Sequence, residues 1–515
     1  MIGSCLKWFT AMAGLGILSL GAADAPQFGT AWSRNMVSPE RDLPGFFSPE
    51  TGTNVLWSAP LGTETHSTPV ISGGRIYIGT NNGNPRDPKH EGDRGVFMCF
   101  EEKSGRFLWQ MVVPKREEDI YFDWPNSGMS STATVEGDRV YLVDSRGQVV
   151  CLDVEGMANG NDGPFREEGE YMTRIPPGTD PKQGVQQLQP GPTDADIIWK
   201  FDLTTGVGIW SHDAAHSSIL IRGNHLYLNT ATGVDNTHRK IRTPEAPALV
   251  VLDKRTGKLL ARDFEGVAPN TFHSNWAPPA LATVGGRELV FFCGGNGMVY
   301  AFQPIAPVPE PDQVARLSKV WQFDFDPGAP KTNVHRYTSN RKESPSNIYG
   351  MPVIHDNRLY VAGGGDIWWG KHEAWLKCLQ VPKAGGGSTN DVVWEYQLQK
   401  HVMSTPAIWK NLLFIADCGG LFHCVDVLSG KPLWTHPIKG DVWSSAYVAD
   451  GKVYLGTRGG SFYIFSASDK PSDPVLIELG KPISATPVAA NGVLYVATMN
   501  RIYALKQGIP ARPLQ

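Results

Sequence analysis

Residues 412–434 read LLFIADCGGLFHCVDVLSGKPLW, and the same sentence is written several more times in this chain with local substitutions. Two marks align the copies: a (T/S)GK/R turn after an acidic or polar position, and a Trp a few residues later. FEEKSGRFLW ends at Trp109, LDKRTGKLLA covers residues 252–261, and VDVLSGKPLW ends at Trp434. Upstream of each turn lies a short apolar strand: RIYIGT from Arg75, HLYLNT from His225, RLYVAGG from Arg358, KVYLGT from Lys452, VLYVAT from Val493. Further upstream stands a small-residue opening: HSTP at His66, MSST at Met129, HSSI at His216, MSTP at Met403, WSSA at Trp443, SATP at Ser484. Each unit therefore predicts four short antiparallel strands joined by tight turns.

The period runs from roughly forty to sixty-five residues, giving about eight units, and four strands per unit mean blades around an axis. The last unit stops before its Trp strand. NVLWSAPL, residues 54–61, has that strand's Trp57 and no unit before it, so it is expected to complete the final blade and close the ring. The predicted fold is all-β: an eight-bladed β-propeller of four-stranded antiparallel blades, closed by an N-terminal strand. The boundaries are a signal peptide over 1–23, an extension over 24–53, the propeller over 54–506 with a long insertion at 155–196, and a tail over 507–515.

The TGK-then-Trp repeats with their S-(S/T)-P opening resemble the quinoprotein-dehydrogenase-like propellers, the pyrroloquinoline quinone (PQQ) repeat family. That family includes PQQ dehydrogenases and non-enzymatic scaffolds such as BamB, so fold alone does not select a function. The dehydrogenases often carry two adjacent cysteines beside the cofactor, and this sequence has no Cys-Cys pair. Its cysteines Cys99, Cys151, Cys378 and Cys424 instead share one column of the repeat with Ala301 and Ala504, which predicts small buried packing residues rather than disulfides.

Lys7, the apolar run 8–20 and the small residues 21–23 follow the order of a secretory signal, with cleavage expected near Ala23. Cys5 precedes the apolar run and cannot be a lipoprotein's modified cysteine. The expectation is a periplasmic or secreted, monomeric protein without a membrane anchor. A net charge of -4 and no Lys/Arg-rich block argue against nucleic-acid binding.

Trp57, Trp109, Trp199, Trp321, Trp394 and Trp434 occupy the repeat's Trp position and report on blade docking. Chemistry is expected where the pattern breaks: the insertion at 155–196, GVDNTHRK at 233–240, HRYTSNRKESPSN at 335–347 and GGGDIWWGKHEAW at 363–375. At its length the insertion predicts a lid, a binding loop or an excursion. The other three loops supply Trp368 and Trp369 for stacking, with Lys371, Arg239, Arg341, Asn236 and His238 as polar contacts. Asp235, Glu343 and Asp366 are the candidate catalytic carboxylates. This mixture suits a flat anionic quinone with Ca²⁺, or a carbohydrate held by stacking and hydrogen bonds. No metal site is predicted; His66, His216 and His273, in or near the column before the paired small residues, are the imidazoles that would supply one.

No GxSxG, HExxH or GxxxxGK[ST] signature is present. Complete repeats without catalytic hallmarks favour a binding or scaffold propeller presenting its loop-rich face to a protein or glycan partner, with a small-molecule site there. The alternative is a PQQ- and calcium-dependent oxidoreductase acting on alcohols or sugars. A carbohydrate-active enzyme using two of the carboxylates is the third reading.

Overall fold

The computed structural model describes residues 23–512 apart from 117, 120, 176–184, 214–216, 307–312 and 383–390. Among them, eight small sheets follow one another along the chain, each built on strands paired antiparallel with their chain neighbours, the last taking its outer strand from the N-terminal end. The sixth blade is representative, with Ala407–Trp409, Leu412–Ala416, Leu421–Asp426 and Pro432–Pro437 as successive antiparallel neighbours. Its two middle strands are buried almost throughout, because neighbouring blades cover both faces. Its outer strand buries Trp434 and leaves most other positions to solvent. The described helices are short, Glu168–Met172 and Leu203–Val207.

The ring closes as the repeat predicts. Val55–Pro60 pairs with Arg501–Leu505, placing Trp57 opposite Ala504. The tail locks the junction: the Asn54 amide donates to the Ile509 carbonyl at 2.9 Å, and Gly508 N–H donates to Asn54 Oδ1 at 2.9 Å. No open sheet edge is left between the first and last blades.

Five further Trp–small pairs repeat the Trp57–Ala504 relationship: Trp109 with Cys99, Trp199 with Cys151, Trp321 with Ala301, Trp394 with Cys378 and Trp434 with Cys424. The small residue makes room for the indole, whose Nε1–H reaches into the next blade. Trp57 donates to Glu102 O, Trp109 to Val154 O, Trp394 to Val427 O and Trp434 to Ser468 O, all at 2.9 Å. Glycine at the TGK turn is required by this docking. Gly105 has φ +71°, and a Cβ there would lie 2.5 Å from the Trp57 ring. All six described cysteines are buried and free, and burial pushes the Cys151, Cys418 and Cys424 thiols up to about 12.

Between the third and fourth blades Ala261 replaces the Trp. Here Leu317 is buried in the gap and Ala315–Arg316 adds a parallel strand beside Leu259–Arg262. The long insertion is likewise a cover. Its described part binds the outer strand of the first blade, where Gln110 N–H donates to Thr193 O and Ala195 N–H to Gln110 O, both at 2.9 Å. Tyr171 is buried there and donates to Asp144 Oδ2 at 2.5 Å. A strand edge needs such protection, and the described part of the insertion supplies it.

The opening strands form the hub. Their hydroxyls and amides link blade to blade around the axis: Met351 N–H to Thr405 Oγ1, Thr405 N–H to Ser445 Oγ, Ser445 N–H to Thr486 Oγ1, Thr486 N–H to Thr68 Oγ1, and Thr68 N–H to Thr132 Oγ1, at 2.9–3.1 Å. This girdle is why the repeat demands paired small hydroxyl residues. The N-terminal extension crosses the turn-bearing face of the hub and bonds Ile71, Val135, Leu281, Ile354, Ile408 and Val448 in succession. Arg34, fully buried, donates to Pro279 O, Phe28 O and Ser218 O at 2.9 Å. The extension therefore plugs one end of the axial channel.

Candidate functional site

With one end plugged, the hub is a blind chamber of about 510 Å³ opening toward the longer loops. Phe28 of the plug contributes to its lining, Thr68, Thr132, Thr405, Ser445 and Thr486 of the girdle line its wall, and loop residues form its mouth. The mouth is aromatic. Trp368 stands perpendicular to Trp276 and nearly so to Trp443, with ring centroids 5.8 and 5.6 Å apart. The Arg458 guanidinium lies 3.9 Å over Trp443, and His66 stacks on that indole at 5.9 Å.

The three pattern-breaking loops converge here. Thr338 Oγ1 donates to the His238 carbonyl at 3.0 Å, and Ser339 N–H donates to the Trp369 carbonyl at 2.8 Å. The 233–240 loop is pinned on its other side by Asp119, which accepts from Asn236 Nδ2 at 3.1 Å, Trp210 Nε1 at 3.0 Å and Arg242 at 2.9 Å. The site is thus held by crossing contacts between loops of different blades.

At its centre three imidazoles meet. His212 Nε2 and His238 Nε2 are 3.0 Å apart, and one ligand atom from each of His212, His238 and His273 falls within 4.8 Å of the others. Asp213 Oδ2 lies 3.4 Å from His212 Nε2 and 3.5 Å from His273 Nε2. The far side of His273 is fixed by the fully buried Asp366, whose Oδ2 is 2.8 Å from His273 Nδ1 and also accepts from the Tyr349 hydroxyl. Asp366 Oδ1 in turn accepts the Trp368 and Trp369 amides at 3.0 and 2.6 Å, so one carboxylate orients both the imidazole and the aromatic loop.

The electrostatics divide the cluster. Burial pushes His212 down to about 3 and lowers His238, keeping both neutral at physiological pH. Burial acts the same way on His273, but the Asp366 and Asp213 carboxylates outweigh it and raise that imidazole to about 9. Despite its burial, Asp366 is held below the usual carboxylate range by His273 and by the hydrogen bonds it accepts. The pocket is built to hold positive charge between the two carboxylates.

The other sequence-nominated residues take varied places. Trp368, Trp369, His238, His273 and His66 line the chamber. Asp235 caps its own turn, accepting from the Thr237 hydroxyl at 2.6 Å. Lys371 is buried against Asp326 at 2.6 Å, and Arg341 staples the Trp368 loop by donating to the Trp368 carbonyl at 2.6 Å and the Gly370 carbonyl at 2.9 Å. Arg239, Asn236 and Glu343 are exposed and lie outside the lining. Asp366 sits behind His273 rather than in the wall, and His216 lies outside the described residues. Sequence reasoning missed Asp213, Tyr349 and Arg458. Nor did it bring His212 together with His238 and His273, which lie in other loops.

A family model described as outer membrane protein assembly factor BamB matches residues 47–162, 92–307 and 383–470. Among solved structures, BamB from Moraxella catarrhalis has 11% identity, with 89% of this chain and 98% of that chain covered at a TM-score of 0.51. Quinohemoprotein alcohol dehydrogenase from Comamonas testosteroni has 14% identity, coverage of 96% and 82%, and a TM-score of 0.44. A europium-containing methanol dehydrogenase has 12% identity, coverage of 92% and 89%, and a TM-score of 0.45. No curated relative matches the sequence. At these identities the likeness is one of fold.

Proposed function

The chain belongs to the PQQ-repeat β-propeller family of the BamB type, and we propose that it is an exported binding propeller taking a compact, polyhydroxylated ligand such as a mono- or disaccharide in its axial chamber. The observation carrying this reading is the lining itself. The indoles of Trp276, Trp368, Trp369 and Trp443 line a blind cavity whose wall is otherwise rich in hydroxyls. Stacking planes with scattered neutral hydrogen-bonding groups suit sugar rings, and the volume lies in the range of small-molecule sites.

The residues do not fit PQQ with calcium. Calcium takes six to eight oxygen ligands, whereas Glu64 and Asp213 are the two carboxylates among the described lining residues, and Asp213 stands against the imidazole nitrogens of His212 and His273. PQQ carries three carboxylates, and Arg458 is the one Lys or Arg among the described lining residues. The lining also contains no cysteine. A second reading, a protein partner docking across the mouth, is supported by Trp124, 49% exposed there, and by the family's description as an assembly factor.

The test is titration of the protein with a panel of neutral mono- and disaccharides, followed by Trp fluorescence and thermal unfolding. At least one sugar is expected to perturb the emission and raise the melting temperature, and the Trp368→Ala/Trp369→Ala double variant to lose both effects. A panel without any response would remove the sugar reading. A shifted quinone spectrum with PQQ and Ca²⁺ would replace it with the oxidoreductase.

A further inference from the structure

We propose that His212, His238 and His273 form a transition-metal site at the mouth of the chamber, binding one divalent ion of the zinc, copper or cobalt class through three imidazole nitrogens and leaving a coordination position open to the chamber. This inference is independent of which ligand the chamber takes.

Four observations support it. First, three loops from separate parts of the chain deliver three imidazoles to one point. A tetrahedral ion with metal–nitrogen bonds near 2.0–2.1 Å needs nitrogens about 3.3 Å apart. The His212–His238 pair, at 3.0 Å, already has nearly that spacing. His238 is half-buried on its loop, and the three nitrogens already lie within 4.8 Å of one another.

Second, the polar partner of the buried His273 Nε2 is a long ion-pair contact to the Asp213 carboxylate, 3.5 Å away, beside the His212 and His238 nitrogens. A polar atom buried to this degree and aimed into a cluster of lone pairs is costly unless a cation completes it. Third, the His273 Nδ1–Asp366 contact is the outer-shell arrangement that fixes an imidazole's ring and directs its other nitrogen to a metal, and Tyr349 and two backbone amides hold that carboxylate in turn. Fourth, Asp213, His238 and His273 all line the chamber, so the remaining coordination position faces it, with Asp213 placed to ligate or to hold a bound water.

Nitrogen-rich donors select zinc, copper, nickel or cobalt over calcium and magnesium. A second group, Asp87, His90 and Asp194, has comparable spacing but already contains its cation. The Lys89 ammonium lies 2.6 Å from Asp194 and 3.2 Å from Asp87.

The experiment is chelator treatment of the protein, equilibrium dialysis against Co²⁺ and Cu²⁺, and spectroscopy of each loaded form. One ion per chain is expected, with visible cobalt bands and a copper resonance split by three nitrogens. Azide added to the cobalt form should shift the bands by entering the open position. His238→Ala should abolish the bands, and Asp366→Asn, which keeps the side chain's shape, should weaken affinity by roughly 10–100-fold. Substoichiometric binding, a copper signal with fewer nitrogens, or cobalt bands that survive in His238→Ala would overturn the proposal. The copper signal of the unmodified protein decides the matter even if a variant fails to fold.

Discussion

His273 Nδ1 and Asp366 Oδ2, 93 residues apart in the chain, meet at 2.8 Å in a site where neither side chain reaches solvent. A loop of the fifth blade is thereby tied to the segment entering the fourth. Removing one partner of a buried pair strands the other's charge, at a cost of about 3–5 kcal/mol. Asp366→Ala should therefore lower the urea midpoint sharply, while Asp366→Asn, which still accepts hydrogen bonds, should lose less. Equal losses would mean that shape rather than charge holds the loop.

The Trp docking makes a paired prediction. Gly430 and Gly451 have φ of +70° and +68°, but a Cβ at Gly430 would lie 2.5 Å from the Trp394 ring, whereas nothing lies within 4 Å at Gly451. Gly451→Ala should cost only the left-handed strain, about 1–2 kcal/mol. Gly430→Ala adds overpacking of about 1–3 kcal/mol against the indole. The difference between their melting temperatures measures blade docking directly.

The blade count, the closing strand and the Trp column were legible in the sequence because each repeats, and a repeated residue is set by a repeated contact. Trp57 could be assigned to the last blade because Ala504 lacked a partner. The loops that converge on the chamber could be found by subtracting the pattern. Their contents could not be sorted in advance. Lys371 and Trp369 are two residues apart, yet one faces Asp326 in the interior and the other the chamber. The histidine cluster was hidden because its members lie in loops of different length and occupy no shared column. The contact of the insertion's described part with the rim depended on Gln110 of an edge strand, 83 residues before Thr193 in the chain.

Acid should destabilise the protein through two histidines that are not ligands in the metal proposal. Neither ring nitrogen of buried His90 or His401 has a hydrogen-bond partner, and burial pushes each down to about 4. Arg94 and Lys89 reinforce this for His90 against Asp194 and Asp87; His372 and Lys400 do so for His401 against Asp366. With folded values below the ordinary 6.5, their contribution is present above that pH and fades as pH falls toward 4. Each should subtract up to about 1 kcal/mol per pH unit across that window. Urea unfolding at stepped pH should show this slope, and His401→Gln should flatten it.

Export makes a chemical prediction at the N-terminus. Asp24 accepts the Gly73 amide at 2.8 Å and Asn491 Nδ2 at 3.0 Å, and Ala25 pairs with Ile71, so the plug's contacts begin at the expected cleavage point, where the Ala23 amide also donates to Glu40 Oε1 at 2.9 Å. Mass spectrometry of protein recovered outside the inner membrane should find Asp24 as the first residue. Protein retained in the cytoplasm with residues 1–23 intact would overturn the exported reading.

Arg34 should be the single most costly residue of the plug. Its guanidinium supplies donors to Pro279, Phe28 and Ser218, joining the third and fourth blades where no repeat Trp spans the gap. Burial lowers it to about 9, still above neutrality, so a buried cation is what these acceptors solvate. Arg34→Met fills similar volume but leaves three carbonyls without that partner, each costing about 1–3 kcal/mol when buried. The variant should melt several degrees lower and be nicked by protease within residues 24–40 before the blades are cut. If the blades and the plug are instead lost together, the extension is part of the propeller's cooperative core rather than a plug seated on it.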